Sequence, residues 1–157
     1  MAKKKIHNRG FTLIELMISI GILTVMVALS VPAFGRYLQT WRLNGETDQM
    51  AGMLRSARSA AVTKHVNTVF VFDTNNDNYY YFEDADGDGT KDNSEYSSEM
   101  IDLPPGITLQ AHTLTQAKIF FGPKGNANES GTITLQNLQN RARTILLFGG
   151  TGNISIN

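Results

Sequence analysis

An uncharged segment of twenty residues, Leu16–Gly35, is the feature that most constrains this chain. Its sequence, LMISIGILTVMVALSVPAFG, has about the length of a membrane-spanning helix. The ten residues at the N-terminus contain no acid and four basic residues, Lys3, Lys4, Lys5 and Arg9. A basic flank stays in the cytoplasm, so the rest of the chain is expected outside. The sequence therefore predicts a single-pass membrane protein with a C-terminal head.

The residues before this segment differ from those of an ordinary secretory signal. Such a signal has small residues behind its apolar stretch, whereas Gly10 lies in front of it. Glu15 stands at the start of the span, and an unpaired carboxylate in lipid costs about 2.5–3.5 kcal/mol on insertion scales. One interpretation is a plain signal anchor whose acid reaches the membrane edge. The other is a functional carboxylate that needs a cationic partner, which a freed α-amine at membrane depth supplies.

The run RGFTLIEL, residues 9–16, resembles the class III signal of type IV prepilins and type II secretion pseudopilins. The resemblance implies that a prepilin peptidase cuts after Gly10 and that Phe11 becomes N-methylated. It also implies that Glu15 pairs with the N-terminal amine of a neighbouring subunit during assembly on an inner-membrane platform. Pro32 matches the position at which the family's anchor helix bends, because proline removes a backbone donor.

The predicted organisation is a leader over residues 1–10, a membrane-spanning or filament-core helix over 11–35, and a periplasmic or extracellular head over 36–157. Apolar residues continue at spacings of three and four beyond the span, which predicts one helix up to about Lys64. We expect this amphipathic part to pack on the head through a stripe of apolar residues: Tyr37, Leu38, Trp41, Met50, Met53, Leu54, Ala57 and Ala61.

From Val66 onward the apolar period becomes alternating, and Gly and Asn clusters separate short runs. Pro104–Gly106 is a turn signal. A long helix followed by such strands predicts an α+β head with the helix on small antiparallel sheets. The predicted strands are Val66–Asp73, Tyr79–Phe82, Ile107–Ala111, Ala117–Phe121, Thr132–Gln136, Thr144–Phe148 and Asn153–Ile156.

The head is similar in pattern to the pseudopilin-H and FimT-like minor pilin domain. The similarity rests on RSAAV at 58–62, on FFG at 120–122 with its glycine-rich loop, and on the later segments Gly131–Leu135, Arg143–Leu147 and Gly152–Ile156. It implies a pilin-like fold in which two small sheets pack against the helix. Residues 73–102 form an acidic insert with ten acids and one base, Lys91.

Residues 84–95 of this insert fit the calcium-loop pattern D-x-D-x-D-G-x5-E without a gap. Hard oxygen ligands at this spacing suit Ca²⁺ in a structural role, although acidic Gly-Asp runs also occur as solvated turns. The flanks do not have the helical pattern of an EF-hand, so an isolated loop is expected. The predicted ligands are Asp84, Asp86, Asp88, the carbonyl of Thr90, Asp92 and Glu95.

Three functions compete. The leading hypothesis is a minor subunit of a type II secretion pseudopilus or type IV pilus, with other pilin subunits as partners. The alternative is a FimT-like minor pilin that binds DNA in natural transformation; the chain without its leader has 10 basic and 14 acidic residues, which makes nucleic acid an unfavourable partner. An enzyme is not expected: Cys is absent, and His65 and His112 stand in no triad or ligand spacing.

Overall fold

Helix α1 extends from Leu13 to Lys64 in the computed structural model, which describes residues 11–157 except Asn75. The helix is continuous through Pro32, whose side chain lies outside the described part, so the bend there stays a prediction. The chain divides into two units, Met1–Tyr37 and Leu38–Asn157. The first unit contributes the beginning of α1, and the second contributes its remainder and all of the strands.

The described part of the first unit is an apolar helical segment whose side chains are exposed. By length and composition this helix is able to cross a membrane. The hydroxyls of Ser19, Thr24 and Ser30 donate hydrogen bonds of 2.8 Å to the carbonyls four residues earlier. The polar atoms of these side chains are therefore satisfied within the helix, as a water-free surrounding requires.

The second unit contains two four-stranded sheets, and every strand pair in them is antiparallel. The first sheet has the order β3-β2-β1-β5 and the second the order β4-β6-β7-β8. The strands are β1 (Asn67–Asp73), β2 (Asn78–Asp84), β3 (Ile101–Asp102), β4 (Ile107–His112), β5 (Lys118–Phe121), β6 (Gly131–Asn137), β7 (Ala142–Phe148) and β8 (Asn153–Ile156).

The turn before β4 has the geometry that its sequence predicts. The N–H of Ile107 donates to the carbonyl of Pro104 at 3.0 Å, and Gly106 has a φ of 88°. Proline at the second position and glycine with positive φ at the third are the requirements of a type II turn. This turn brings the chain from the first sheet to the second.

One hydrophobic core joins the helix to both sheets. Phe70, Tyr79 and Phe121 contribute from the first sheet, and Ile133 and Ile145 from the second. The face of α1 that is buried has the helical spacing of three and four, and it consists of Leu43, Glu46, Thr47, Met50, Ala51, Leu54, Ala57 and Ala61.

The predicted stripe is correct from Met50 onward and wrong at its beginning. Tyr37 and Trp41 are 67% and 64% exposed, whereas Leu43, Glu46 and Thr47 are buried. The two aromatic residues match the apolar period but lie off the buried face. Two polar residues occupy that face because each finds a hydrogen-bond partner, which hydropathy alone does not reveal.

All seven predicted strands are present, and their ends differ from the prediction by two residues at most. The structure adds β3, a two-residue strand that pairs with the beginning of β2. Strand β2 also continues to Asp84, so the first predicted calcium ligand is the last residue of a strand. A two-residue strand has too little alternation to be seen in a sequence.

Candidate functional site

The beginning of α1 has the hydrogen bonds of a capping box. The N–H of Glu15 donates to Oγ1 of Thr12 at 3.3 Å, and the N–H of Thr12 donates to Oε2 of Glu15 at 3.4 Å. This reciprocal pair satisfies donors that the first turn leaves open. Phe11 is exposed, and Gly10 lies outside the described residues, so the predicted cleavage and methylation sites stay predictions.

The acidic loop brings together three of the six predicted calcium ligands. Carboxylate oxygens of Asp84, Asp86 and Asp88 lie within 4.8 Å of one another. A Ca²⁺ ion holds oxygens at about 2.3–2.6 Å, so ligand atoms of one ion lie up to about 5 Å apart. The spacing of these three aspartates therefore fits a hard cation.

The carboxylates of Asp92 and Glu95 do not join this group in the described part of the chain. The carboxylate of Glu95 instead closes the loop by accepting the N–H of Ala85 at 2.8 Å and that of Asp92 at 3.0 Å. Thr90 donates its N–H to Asp88 at 2.6 Å. The carboxylate of Glu95 thus holds two backbone N–H groups of the loop, and its role as a calcium ligand stays a prediction.

Asp84 is the buried carboxylate of the loop. Only 2% of it is exposed, and its carboxylate accepts the N–H groups of Gly87 and Gly89 at 3.0 and 3.2 Å. Burial raises the pKa of Asp84, and the charges of Glu95 and Asp86 raise it further, against the lowering effect of the two backbone donors. A positive charge at this position would relieve the repulsion.

A second buried carboxyl is that of Glu46 on α1, and no basic side chain pairs with it in the described part of the chain. Oε1 of Glu46 accepts the hydroxyl of Tyr79 on β2 at 2.7 Å, and both residues are buried. Burial raises the pKa of Glu46 above 4.5, although the hydrogen bond from Tyr79 lowers it in part. Burial and the neighbouring carboxyl also raise the pKa of Tyr79. The pair ties the helix to the first sheet.

We expect Glu46→Gln to raise the stability of the fold at pH 8 and to flatten its dependence on pH. The proton that Glu46 retains stabilises the fold fully below the unfolded pKa of 4.5, and this contribution is lost as the pH rises through the raised pKa. Glutamine keeps an acceptor for Tyr79 and removes the charge. Urea unfolding between pH 5 and pH 8 measures the slope.

Glu99 is exposed, so Glu99→Gln is the matched control and should leave the dependence of the unfolding free energy on pH unchanged. Tyr79→Phe removes the donor and should lower stability by about 1–3 kcal/mol, because the buried carboxyl then lacks a partner. A Glu46→Gln variant with the slope of the unmodified protein would contradict the assignment.

Two arginines on α1 bind main-chain carbonyls of the head: Arg58 binds two glycine-rich loops, and Arg55 binds strand β8. Nε of Arg58 donates to the carbonyl of Gly125 at 2.8 Å, and its Nη2 donates to that of Thr151 at 3.0 Å. Nη2 of Arg55 donates to the carbonyl of Ile154 at 3.2 Å. The sequence offers no signal for these bonds, because the partners are main-chain atoms far along the chain.

DNA binding by the head would require the basic residues of its second half, Lys118, Lys124, Arg141 and Arg143, to form one surface, and they do not. Nζ of Lys118 donates to the carbonyl of Gly89 at 2.9 Å, so it serves the acidic loop. Arg141 and Arg143 flank the start of β7, whereas Lys124 adjoins the loop that Arg58 binds near the end of β7. Strand β7 has seven residues, or about 23 Å. Binding along a DNA backbone needs several phosphate contacts on one continuous surface, which these four residues do not supply together.

A sequence profile decides the family. The profile described as type II transport protein GspH matches residues 46–151, more than half of the chain. The chain belongs to the GspH family. A second profile, the prokaryotic N-terminal methylation motif, matches residues 5–31 of this GspH-family chain and includes Glu15.

Solved structures confirm the pilin-like α+β fold. The minor pseudopilin EpsH of the type 2 secretion system of Vibrio cholerae superposes with a TM-score of 0.59 at 11% identity, over 74% of this chain and 96% of that one. The type IV minor pilin FimU of Pseudomonas aeruginosa (strain PAO1) gives a TM-score of 0.59 at 13% identity, over 77% and 92%. At such identities the likeness shows the fold alone.

A curated relative resembles this GspH-family chain over a short stretch. Prepilin peptidase-dependent protein D of Escherichia coli (strain K12) is 55% identical over 32 residues. The match spans 20% of this chain and 22% of that protein. The activity of the whole relative therefore does not transfer by this match.

Proposed function

We propose that this chain is a minor subunit of a type II secretion pseudopilus or a type IV pilus. The head faces the periplasm while the chain waits in the inner membrane, and the apolar half of α1 becomes the filament core on assembly. A prepilin peptidase removes residues 1–10 and methylates Phe11. Glu15 then pairs with the amine of a neighbouring subunit on the assembly platform.

The observation that carries this proposal is the division of α1 into two kinds of surface. Side chains of the segment after Glu15 are exposed and apolar, whereas the segment from Leu43 onward buries one face in the head. An exposed apolar helix is unstable in water and stable in lipid or against other such helices. A single acid at its beginning supplies a point at which a cationic neighbour is recognised.

We expect the chain to be processed after Gly10 when it is co-expressed with a prepilin peptidase. Mass spectrometry of the N-terminus should give a mature chain that begins with N-methylated Phe11. Gly10→Ala should block the cut, since the peptidase reads this small residue. An intact Met1 or Ala2 terminus, beside a control prepilin that the same peptidase processes, would contradict the proposal.

We further propose that the acidic loop binds Ca²⁺ as a structural ion. Asp84, Asp86 and Asp88 offer carboxylates at suitable spacing. The raised pKa of Asp84 reflects crowded negative charge that a divalent cation would neutralise. Against this, Glu95 and the aspartates already accept backbone N–H groups, and these bonds order the loop by themselves.

We expect Ca²⁺ to stabilise the head by about 2.7 kcal/mol at a concentration 100-fold above its dissociation constant. The double variant Asp86→Asn, Asp88→Asn should lose this effect, because it removes two exposed carboxylates. Glu99→Gln, an exposed acid outside the group, is the control. Thermal unfolding of the full chain in detergent, with calcium or with chelator, makes the measurement. Equal unfolding midpoints with calcium and with chelator would show that the loop is ordered without the ion.

A further inference from the structure

Chain connectivity limits how far the first residues of the head can lie from the end of the apolar span. Gly35, the last residue of the span, is four residues from Gln39. Four residues cover at most about 14 Å extended and about 6 Å as helix. Beside Gln39 lies the turn between β6 and β7, since a Cβ added at Gly106 would meet Leu138 at 3.1 Å and Oε1 of Gln39 at 3.4 Å.

We name this region the span-proximal end and define it by Gln39, Thr40 and the turn Leu138–Arg141. Leu138 is 74% exposed at the tip of this turn. The turn is ordered, because Oδ1 of Asn137 accepts the N–H groups of Gln139 and Arg141 at 2.9 and 3.1 Å. An apolar tip is therefore held outward in a fixed position.

A basic cavity of about 370 Å³ opens at the same end. Arg141 is exposed, and Nε of Arg143 is buried without a hydrogen-bond partner. No acidic side chain pairs with either arginine in the described part of the chain. A buried donor without a partner is unfavourable, and an anionic acceptor in the cavity would satisfy it. The cavity is lined by Thr40, Leu43, Asn44, Arg141, Ala142 and Arg143.

We propose that the span-proximal end docks on the anionic headgroups of the membrane that holds the chain. The cavity takes a phospholipid phosphate between Arg141 and Arg143, and Leu138 enters the interfacial layer. This inference rests on the membrane anchoring proposed above. The headgroup contact goes beyond that anchoring, because anchoring by the span alone requires no contact between head and lipid.

Charge and depth both favour lipid as the occupant. The headgroup layer is about 5–7 Å thick on each side of the hydrocarbon, and the four residues from Gly35 to Gln39 reach at most about 14 Å, so this end stays within reach of it. Basic residues at this depth gain about 1 kcal/mol each from an anionic surface. An exposed leucine beside arginines is the combination that interfacial segments use.

The test uses the full chain in lipid nanodiscs at one copy per disc. The chain has no cysteine, so Leu138→Cys accepts a single nitroxide label. Collision of the label with a water-soluble nickel complex, relative to oxygen, reports its depth. Discs of phosphatidylglycerol are compared with discs of phosphatidylcholine. Lys124→Cys, at an exposed site in the loop that Arg58 binds, gives the label that should stay in water.

We expect shielding at 138 in the anionic discs and exposure in the neutral discs. Arg141→Gln should lower the ratio of docked to undocked heads about fivefold, and the matched Lys124→Gln should not change it. A label exposed in both discs, or shielded equally in both, would overturn the headgroup contact. Shielding that follows the number of chains per disc would overturn it in favour of a neighbouring subunit. A chain that leaves the discs altogether would overturn the anchoring as well.

Discussion

Replacing Glu15 with glutamine should reduce incorporation of the chain into the filament by at least a hundredfold. The amine of a neighbouring subunit would then be buried beside a neutral amide. Leaving one charge of a buried pair without its partner costs about 3–5 kcal/mol, and each 1.4 kcal/mol is a factor of ten in an equilibrium. The fraction of chain in sheared filaments, relative to the membrane fraction, makes the measurement in cells that carry the assembly machinery.

The same side chain also caps helix α1, so the variant has to separate two roles. Glutamine retains an acceptor for the N–H of Thr12, which Glu15 accepts at 3.4 Å. Thr12→Ala is the complementary variant, because it removes the cap at a cost of about 1 kcal/mol and keeps the carboxylate. If Thr12→Ala fails to assemble while Glu15→Gln assembles normally, Glu15 acts as a capping residue. Processing by the peptidase is followed in parallel.

The elements of the fold were accessible from the sequence because each has a long or regular pattern. Uncharged residues from Leu16 to Gly35 and the later spacing of three and four predict one helix, and the structure has it up to Lys64. Glycine and asparagine clusters mark the ends of the strands. β3 was missed because two residues carry no period. Trp41 was assigned to the core by its period, yet it is exposed.

The pairs that fasten the helix to the sheets were not accessible. Arg58 binds the carbonyl of Gly125, 67 residues away, and Glu46 binds Tyr79, 33 residues away. Every residue has a main-chain carbonyl, so the sequence does not show which carbonyl an arginine binds. Nor does the sequence distinguish a buried acid from a surface acid before its partner is known. The calcium pattern shows the same limit, since the spacing predicts five carboxylate ligands and only the folded loop reveals that the carboxylates of Asp84, Asp86 and Asp88 lie together.

The hydrogen bonds of Arg58 leave no room for a larger residue at Gly152. Gly152 follows Thr151, whose carbonyl Arg58 binds, and it approaches the loop of Gly125. A Cβ at Gly152 would lie 2.0 Å from the carbonyl oxygen of Gly125 and 2.9 Å from Nε of Arg58. Gly152 also has a φ of 60°, which costs other residues about 1–2 kcal/mol. The backbone oxygen cannot yield without breaking its bond to Arg58.

Gly152→Ala should therefore destabilise the head by about 3–5 kcal/mol, from the positive φ, the overpacking and the weakened bonds of Arg58. At about 2–4 °C per kcal/mol, the unfolding midpoint should fall by at least about 6 °C. Gly150→Ala, two residues earlier in the same loop, is the matched control, since a Cβ there meets nothing within 4 Å. Near-ultraviolet circular dichroism of the full chain in detergent follows the buried tyrosine of the core. Equal midpoints for the two variants would mean that the two loops separate at little cost, and that Arg58 does not fix the end of the second sheet to the helix.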